Sequence, residues 1–150
     1  MYAANAVHID SEHTECFGFR IETKREQKVI VYSGDTAPTE SILQLAKDCD
    51  LLIHECTYPT KATIFKERLK NFHTNPLELG KIAQKANVKS LVATPLTNFQ
   101  TTNPIVQKYV SQYIPVEMLG PQLIDEVVED IRIHYNGPLR IAHDLMRIDL

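Results

Sequence analysis

Apolar and polar residues alternate in short runs along this chain, and the period switches repeatedly between two and about three and a half. Residues 16–23 (CFGFRIET) and 28–33 (KVIVYS) have the strand period and flank a polar turn at 24–27, which predicts a β-hairpin. Thr39 stands at an N-cap position. Ile42, Leu43, Leu45 and Ala46 then recur at helical spacing, predicting a helix that reaches about Asp48. Residues 50–56 (DLLIHEC) form a near-continuous apolar run, as expected of a strand buried on both faces. Asn75, Pro76 and Glu78 occupy the N-cap, N1 and N3 positions of a further helix extending to about Ala86. Residues 89–94 (KSLVAT) read as another buried strand. Helices are also predicted over 60–70, 104–113 and 121–135, the last stopped by Asn136 and Gly137, with strands within 139–150.

The order ββαβ(α)αβααβ contains no linker, repeat or low-complexity segment. It predicts one α/β domain over residues 1–150, with helices covering a sheet and function at the strand ends. The 150 residues are 43% hydrophobic and 23% charged, a globular balance. The net charge of −3 argues against binding nucleic acid through overall charge and leaves room only for a local patch. The densest basic group, Lys61, Lys66, Arg68 and Lys70, reads as a solvated helix face. No apolar run approaches the roughly 20 residues of a membrane span, so no membrane partner is expected. The first ten residues lack both a basic lead and a long apolar stretch, so no signal peptide is expected. Cys16, Cys49 and Cys56 are odd in number and form no CxxC pair. They are expected to be small packing residues in a reduced, cytoplasmic setting.

Residues 29–36 (VIVYSGDT) carry the most chemistry. A hydrophobic strand delivers Asp35 at its C-terminal end, directly after Gly34. A carboxylate held there either organises a β-to-α turn or bridges metal ions, and Gly-Asp turns are common enough that the motif alone favours the former.

The wider stretch VYSGDTAPTESILQLAKDCDLLIHECTY resembles ribonuclease Z-like enzymes (tRNA 3′-processing endonucleases) and their relatives in the metallo-β-lactamase superfamily. Ser33-Gly34-Asp35-Thr36, then Asp50 through Glu55 (DLLIHE), then His73-Thr74 follow the family order. Upstream, residues 13–20 (HTECFGFR) resemble a His-containing segment leading into a GYR strand. Downstream, residues 142–146 (AHDLM) resemble the C-terminal strand. The likeness runs from about residue 7 to 150. It implies the C-terminal half of a metallo-β-lactamase αβ/βα sandwich, in which two zinc ions sit between the halves.

The resemblance implies that Asp35 is the bridging metal ligand and His13 a further ligand, with His8 competing for that place. It implies His73 as the catalytic histidine and gives His54 and Glu55 a structural role or one supporting the ligands. His134 and His143 are expected to be structural or exposed. Two departures stand out. No HxHxDH motif occurs in the 150 residues, and a strand-end Thr-His dipeptide is here Thr94-Pro95, placing Pro95 where the family has a ligand. The expectation is therefore a metal-dependent hydrolase cleaving RNA phosphodiesters, in truncated form and inactive alone. The implied partners are precursor tRNA or another phosphodiester, together with a second copy of the chain or a chain carrying the missing half. A non-catalytic interaction or dimerisation module and an ester or lactone metallohydrolase are the alternatives. A half-sandwich alone is also expected to leave one sheet face apolar and uncovered.

Overall fold

The computed structural model describes residues 1–8, 15–61, 69–94, 104, 105, 108 and 122–150. They form a six-stranded sheet whose spatial order follows the chain. Strands β1 (Tyr2–Ala6), β2 (Cys16–Glu22) and β3 (Val29–Tyr32) pair antiparallel. Strands β4 (Leu51–Glu55), β5 (Leu91–Thr94) and β6 (Leu139–Ile141) continue from β3 in parallel. The parallel half follows from its crossovers, which pass through α1 (Glu40–Ala46) between β3 and β4 and α2 (Pro76–Lys85) between β4 and β5. Helix α3 (Gln122–Arg132) precedes β6.

The hairpin, both buried strands and the caps stand where the sequence puts them. Thr39 accepts the Ile42 N–H at 3.2 Å and Asn75 accepts the Glu78 N–H at 2.9 Å, each satisfying an orphan donor of the first turn. Strand β1 is an addition to the sequence reading, and among the described residues 139–150 contains one strand only. The helices expected over 60–70 and 104–113 fall largely outside the described residues.

All three helices share one core. Val31, Leu52 and Leu91 lie in register across the sheet and pack with Ile42, Leu45, Leu79, Ile82, Val127 and Ile131. Gly18 lets α1 close on β2, since a Cβ there would sit 2.7 Å from Ile42 Cδ1. Gly80 brings α2 against α3 more closely still, because a Cβ there would lie 2.5 Å from the Ile131 carbonyl oxygen. Burial pushes the Cys49 thiol up to about 12 and also raises Cys56, so both are inert packing groups at neutral pH, as the sequence suggested.

Strand alternation sends Phe17, Phe19 and Ile21 to the other face, beside Ile30 and Tyr32 of β3 and Ile53 of β4. Phe17, Ile21 and Tyr32 remain 39%, 41% and 45% exposed there. The sheet thus has one face closed by helices and an apolar, partly open face opposite.

Candidate metal centre

The C-terminal ends of β3 and β4 meet the loop after β1 and the loop before α2, and four hydrogen bonds, three at Thr36 and one at Ala37, lock these segments together. Thr36 is fully buried. Its Oγ1 accepts the Val7 N–H at 3.0 Å, and the Ala37 N–H donates to the Val7 carbonyl at 2.7 Å. The Thr36 N–H donates to Glu55 Oε1 at 3.2 Å, and its carbonyl accepts the Thr74 hydroxyl at 2.8 Å. Val7, Thr36 and Thr74 each adjoin one of His8, Asp35 and His73. Fixing the three neighbours therefore fixes the three functional groups. Gly34 makes the turn with φ of +63°, in the left-handed region, and a Cβ there would lie 3.0 Å from the Phe17 carbonyl oxygen.

One ligand atom from each of His8, Asp35 and His73 lies within 4.8 Å of the others, close enough to share one metal ion. His8 Nε2 is 3.9 Å from Asp35 Oδ2, and the two imidazoles meet edge to face with centroids 4.6 Å apart. The other nitrogen of each ring is occupied. His8 Nδ1 faces the Phe72 carbonyl at 3.2 Å. His73 Nδ1 lies 3.2 Å from Glu55 Oε1 and 3.0 Å from Thr57 Oγ1. A carbonyl accepts only, so the His8 proton belongs on Nδ1. The Thr57 hydroxyl donates to Glu55 Oε2, leaving its oxygen to accept from His73.

Glu55 is 2% exposed and accepts from the Thr36 and Thr74 N–H groups, the latter at 2.7 Å, as well as from Thr57 and His73. A buried carboxylate needs such partners, and here they join the ends of β3 and β4 to the loop that carries His73.

His54 is separate from this network. It is fully buried, and its Nδ1 lies 2.8 Å from the Glu55 carbonyl. Its Nε2 has no hydrogen-bond partner. Burial holds its pKa below the usual histidine range, outweighing the Glu55 carbonyl and carboxylate.

Of the residues singled out in sequence, Asp35, His73 and Glu55 come together and His54 stands beside them. His13 and Pro95 lie outside the described residues. Among the described residues His8, the competing candidate, is brought to Asp35 together with His73. Thr36 and Thr57, whose bonds hold the arrangement, had no separate signal. His134 is half-buried and His143 exposed, with His143 Nδ1 3.0 Å from the Asp144 carbonyl.

The ligand set fits one metal ion. Two nitrogens and one carboxylate leave open coordination positions, as in catalytic zinc sites. Among the described residues this is the one group of His, Cys, Asp or Glu so placed.

Comparison with known proteins gives the chain's relatives. The chain is 31% identical over 127 residues to ribonuclease Z of Pseudomonas putida, covering 85% of this chain and 35% of that protein. It is 38% identical over 80 residues to ribonuclease Z of Sulfolobus acidocaldarius, covering 53% of this chain and 26% of that protein. The chain spans about a third of the length of the curated relatives it matches. The metallo-beta-lactamase fold protein YhfI from Bacillus subtilis superposes with a TM-score of 0.62 over 93% of this chain and 45% of that one, at 20% identity, which supports the fold alone. A family model described as the beta-lactamase superfamily domain matches residues 2–94. Since that match runs from β1 through β5 and includes His8, Asp35 and His73, the chain belongs to the beta-lactamase superfamily domain family.

Proposed function

We propose that the chain is the Asp35- and His73-bearing part of a ribonuclease Z-like hydrolase that cleaves RNA phosphodiesters, with precursor tRNA as the nearest substrate class. The observation that carries this reading is the convergence of His8, Asp35 and His73 at strand ends, with Glu55 behind His73. The ribonuclease Z relatives supply the substrate class, and a cytoplasmic setting fits it. A zinc ion held by His8 and Asp35 would supply a bound water of lowered pKa and polarise a phosphate oxygen. Asp35 would hold that ion from the turn after β3. His73 presents Nε2 to the scissile group, where it stabilises developing charge and carries a proton to the leaving oxygen. Glu55 keeps the His73 ring oriented by accepting from Nδ1. His54 supports β4 from the core.

No HxHxDH motif is present, and Pro95 cannot ligate a metal, so the second ion of a two-metal mechanism would need residues from another polypeptide segment. The test is a cleavage assay on precursor tRNA bearing a 3′ trailer. This chain would be mixed with a fragment of a ribonuclease Z-like family member that carries HxHxDH. The reading predicts zinc-dependent 3′ cleavage that rises with Pro95→His and disappears with Asp35→Ala or His73→Ala. No cleavage by the Pro95→His chain with its complement would refute it.

A second reading, a non-catalytic interaction module, draws on Pro95 together with the open apolar face of Phe17, Ile21 and Tyr32. It predicts association without cleavage under any of these conditions.

A further inference from the structure

We infer that the free edge of β1 pairs with the same edge of a second copy of this chain. The two strands run antiparallel about a dyad at Ala3, and Tyr2 of each copy seats beside Ala4 of the other. This association is independent of the proposed reaction.

Strand β1 ends the sheet, and among the described residues no strand lies beyond it. Backbone groups alternate in direction along a strand, so every second residue of β1 faces away from β2. The bonds at its C-terminal end fix which ones. The Asn5 carbonyl accepts the Ser41 hydroxyl at 2.7 Å, and Val7 bonds to Thr36 and Ala37 through both its backbone groups. Ala3, Asn5 and Val7 therefore face outward, while Tyr2, Ala4 and Ala6 face their β2 partners Arg20, Gly18 and Cys16. The Ala3 N–H and carbonyl and the Asn5 N–H are left to water. Natural edges are commonly blunted by charge, proline or a bulge. Tyr2–Ala6 has neither charge nor proline, and its register against β2 is continuous.

The occupied groups also set the register. Bonds from residues 36, 37 and 41 cover the edge from the Asn5 carbonyl onward, so an incoming strand reaches only Met1 to Asn5. An antiparallel partner centred on Ala3 uses every free group. The two Ala3 residues exchange N–H···O=C bonds, and each Asn5 N–H meets the Met1 carbonyl of the other copy. An edge that satisfies itself in this way is self-complementary, as a two-fold interface requires, and this favours a second copy as the occupant.

The side chains agree with that register. Directly opposed residues share a face, so the dyad sets Tyr2 of one copy opposite Ala4 of the other on the helix-covered side. Tyr2 is 60% exposed. Beside Ala4 lies an open groove of about 540 Å³, lined by Arg20, Ser41, Gln44 and Leu45 among others. The small Ala4 side chain leaves room that Tyr2 fills, and the uncharged strands oppose no like charges. One short strand and one tyrosine per copy bury less than the roughly 1,200–2,000 Å² of a stable complex, so the dimer forms and dissociates with concentration.

The experiment is amide hydrogen exchange, followed by NMR as the chain concentration is raised, with sedimentation velocity on variants. Pairing predicts that the Ala3 and Asn5 amides exchange more slowly at high concentration, whereas the Ala4 amide, bonded to β2 in either state, is slow throughout. Proline at residue 3 deletes an N–H that β1 does not give to β2. Ala3→Pro should therefore keep its fold by circular dichroism and lose the dimer, and Tyr2→Ala should weaken it about tenfold. Tyr32→Lys, on the other face of the sheet, should leave the Ala3 and Asn5 protection intact, which separates edge pairing from association through that face. Exchange at Ala3 that ignores concentration would overturn the inference and leave the edge to a different chain. So would unchanged dimer affinity in a folded chain carrying both Ala3→Pro and Tyr32→Lys. The exchange measurement decides without any variant.

Discussion

Replacing Thr36 by valine tests how the site is held together, because the change removes one hydroxyl and preserves shape. The Oγ1 of Thr36 accepts the Val7 N–H at 3.0 Å and donates to the Ala37 carbonyl at 2.8 Å, in a position with no solvent exposure. Valine would leave the Val7 N–H without that partner. Val7 is 46% exposed, so water can take up part of the loss, and the cost should fall near the lower end of the about 1–3 kcal/mol of an unsatisfied buried donor. The Ala37 N–H still holds the Val7 carbonyl, so His8 would shift without being released. The Thr36 hydroxyl bonds the backbone beside His8 and not the His8 ring, so the loss of metal affinity should stay below the ~10–100-fold typical of removing a ligand's direct partner. Urea unfolding with and without zinc would measure the first effect, and zinc titration the second. Thr36→Ser keeps the hydroxyl and should retain most of the affinity. Wild-type stability and zinc affinity in Thr36→Val would refute the role given to this residue.

Three further outcomes follow from the same structure. His54 resists protonation when folded, whereas the unfolded chain takes up that proton near the ordinary value of 6.5. Its contribution is fully present above that pH and declines as pH falls below it, by at most about 1.4 kcal/mol per pH unit. Urea titrations between pH 7.5 and 5.5 should therefore lose less stability in His54→Phe than in wild type, and equal slopes would count against this. Gly80→Ala should destabilise by about 1–3 kcal/mol through overpacking, exceeding the helix-propensity gain of about 1 kcal/mol, because the new methyl meets the Ile131 backbone. Thermal melts would read a lowered midpoint. Sedimentation velocity should detect self-association at micromolar chain concentrations through the Phe17, Ile21 and Tyr32 face. Tyr32→Lys should reduce it, and a monodisperse wild-type monomer would contradict the expectation.

What was legible in the sequence was whatever depends on local pattern. Period-two and helical spacing gave the hairpin and α1. The Asn75-Pro76-Glu78 start gave α2, and the apolar 50–56 run gave β4. Strand β1 escaped because Tyr2–Ala6 is built mostly from alanine, whose small side chain marks neither strand nor helix strongly. Asp35 and His73 were legible through motif order. His8 was not separable from His13 in sequence, since what holds His8 beside Asp35 is the pair of Val7 bonds to residues 36 and 37, which span 29 and 30 residues. Glu55 was legible as a motif residue, but its four donors come from three segments that only the fold unites. Among the described residues, no helix is long and apolar enough to cross a membrane, in line with the absence of a long apolar run.

Zinc K-edge X-ray absorption of the chain loaded with one equivalent of zinc would examine the ligand set directly. The predicted spectrum has a nitrogen and oxygen shell at about 2.0–2.1 Å, with an imidazole multiple-scattering pattern that weakens in His8→Ala. A sulfur shell at about 2.3 Å, or a first shell without imidazole, would contradict a metal centre at His8, Asp35 and His73.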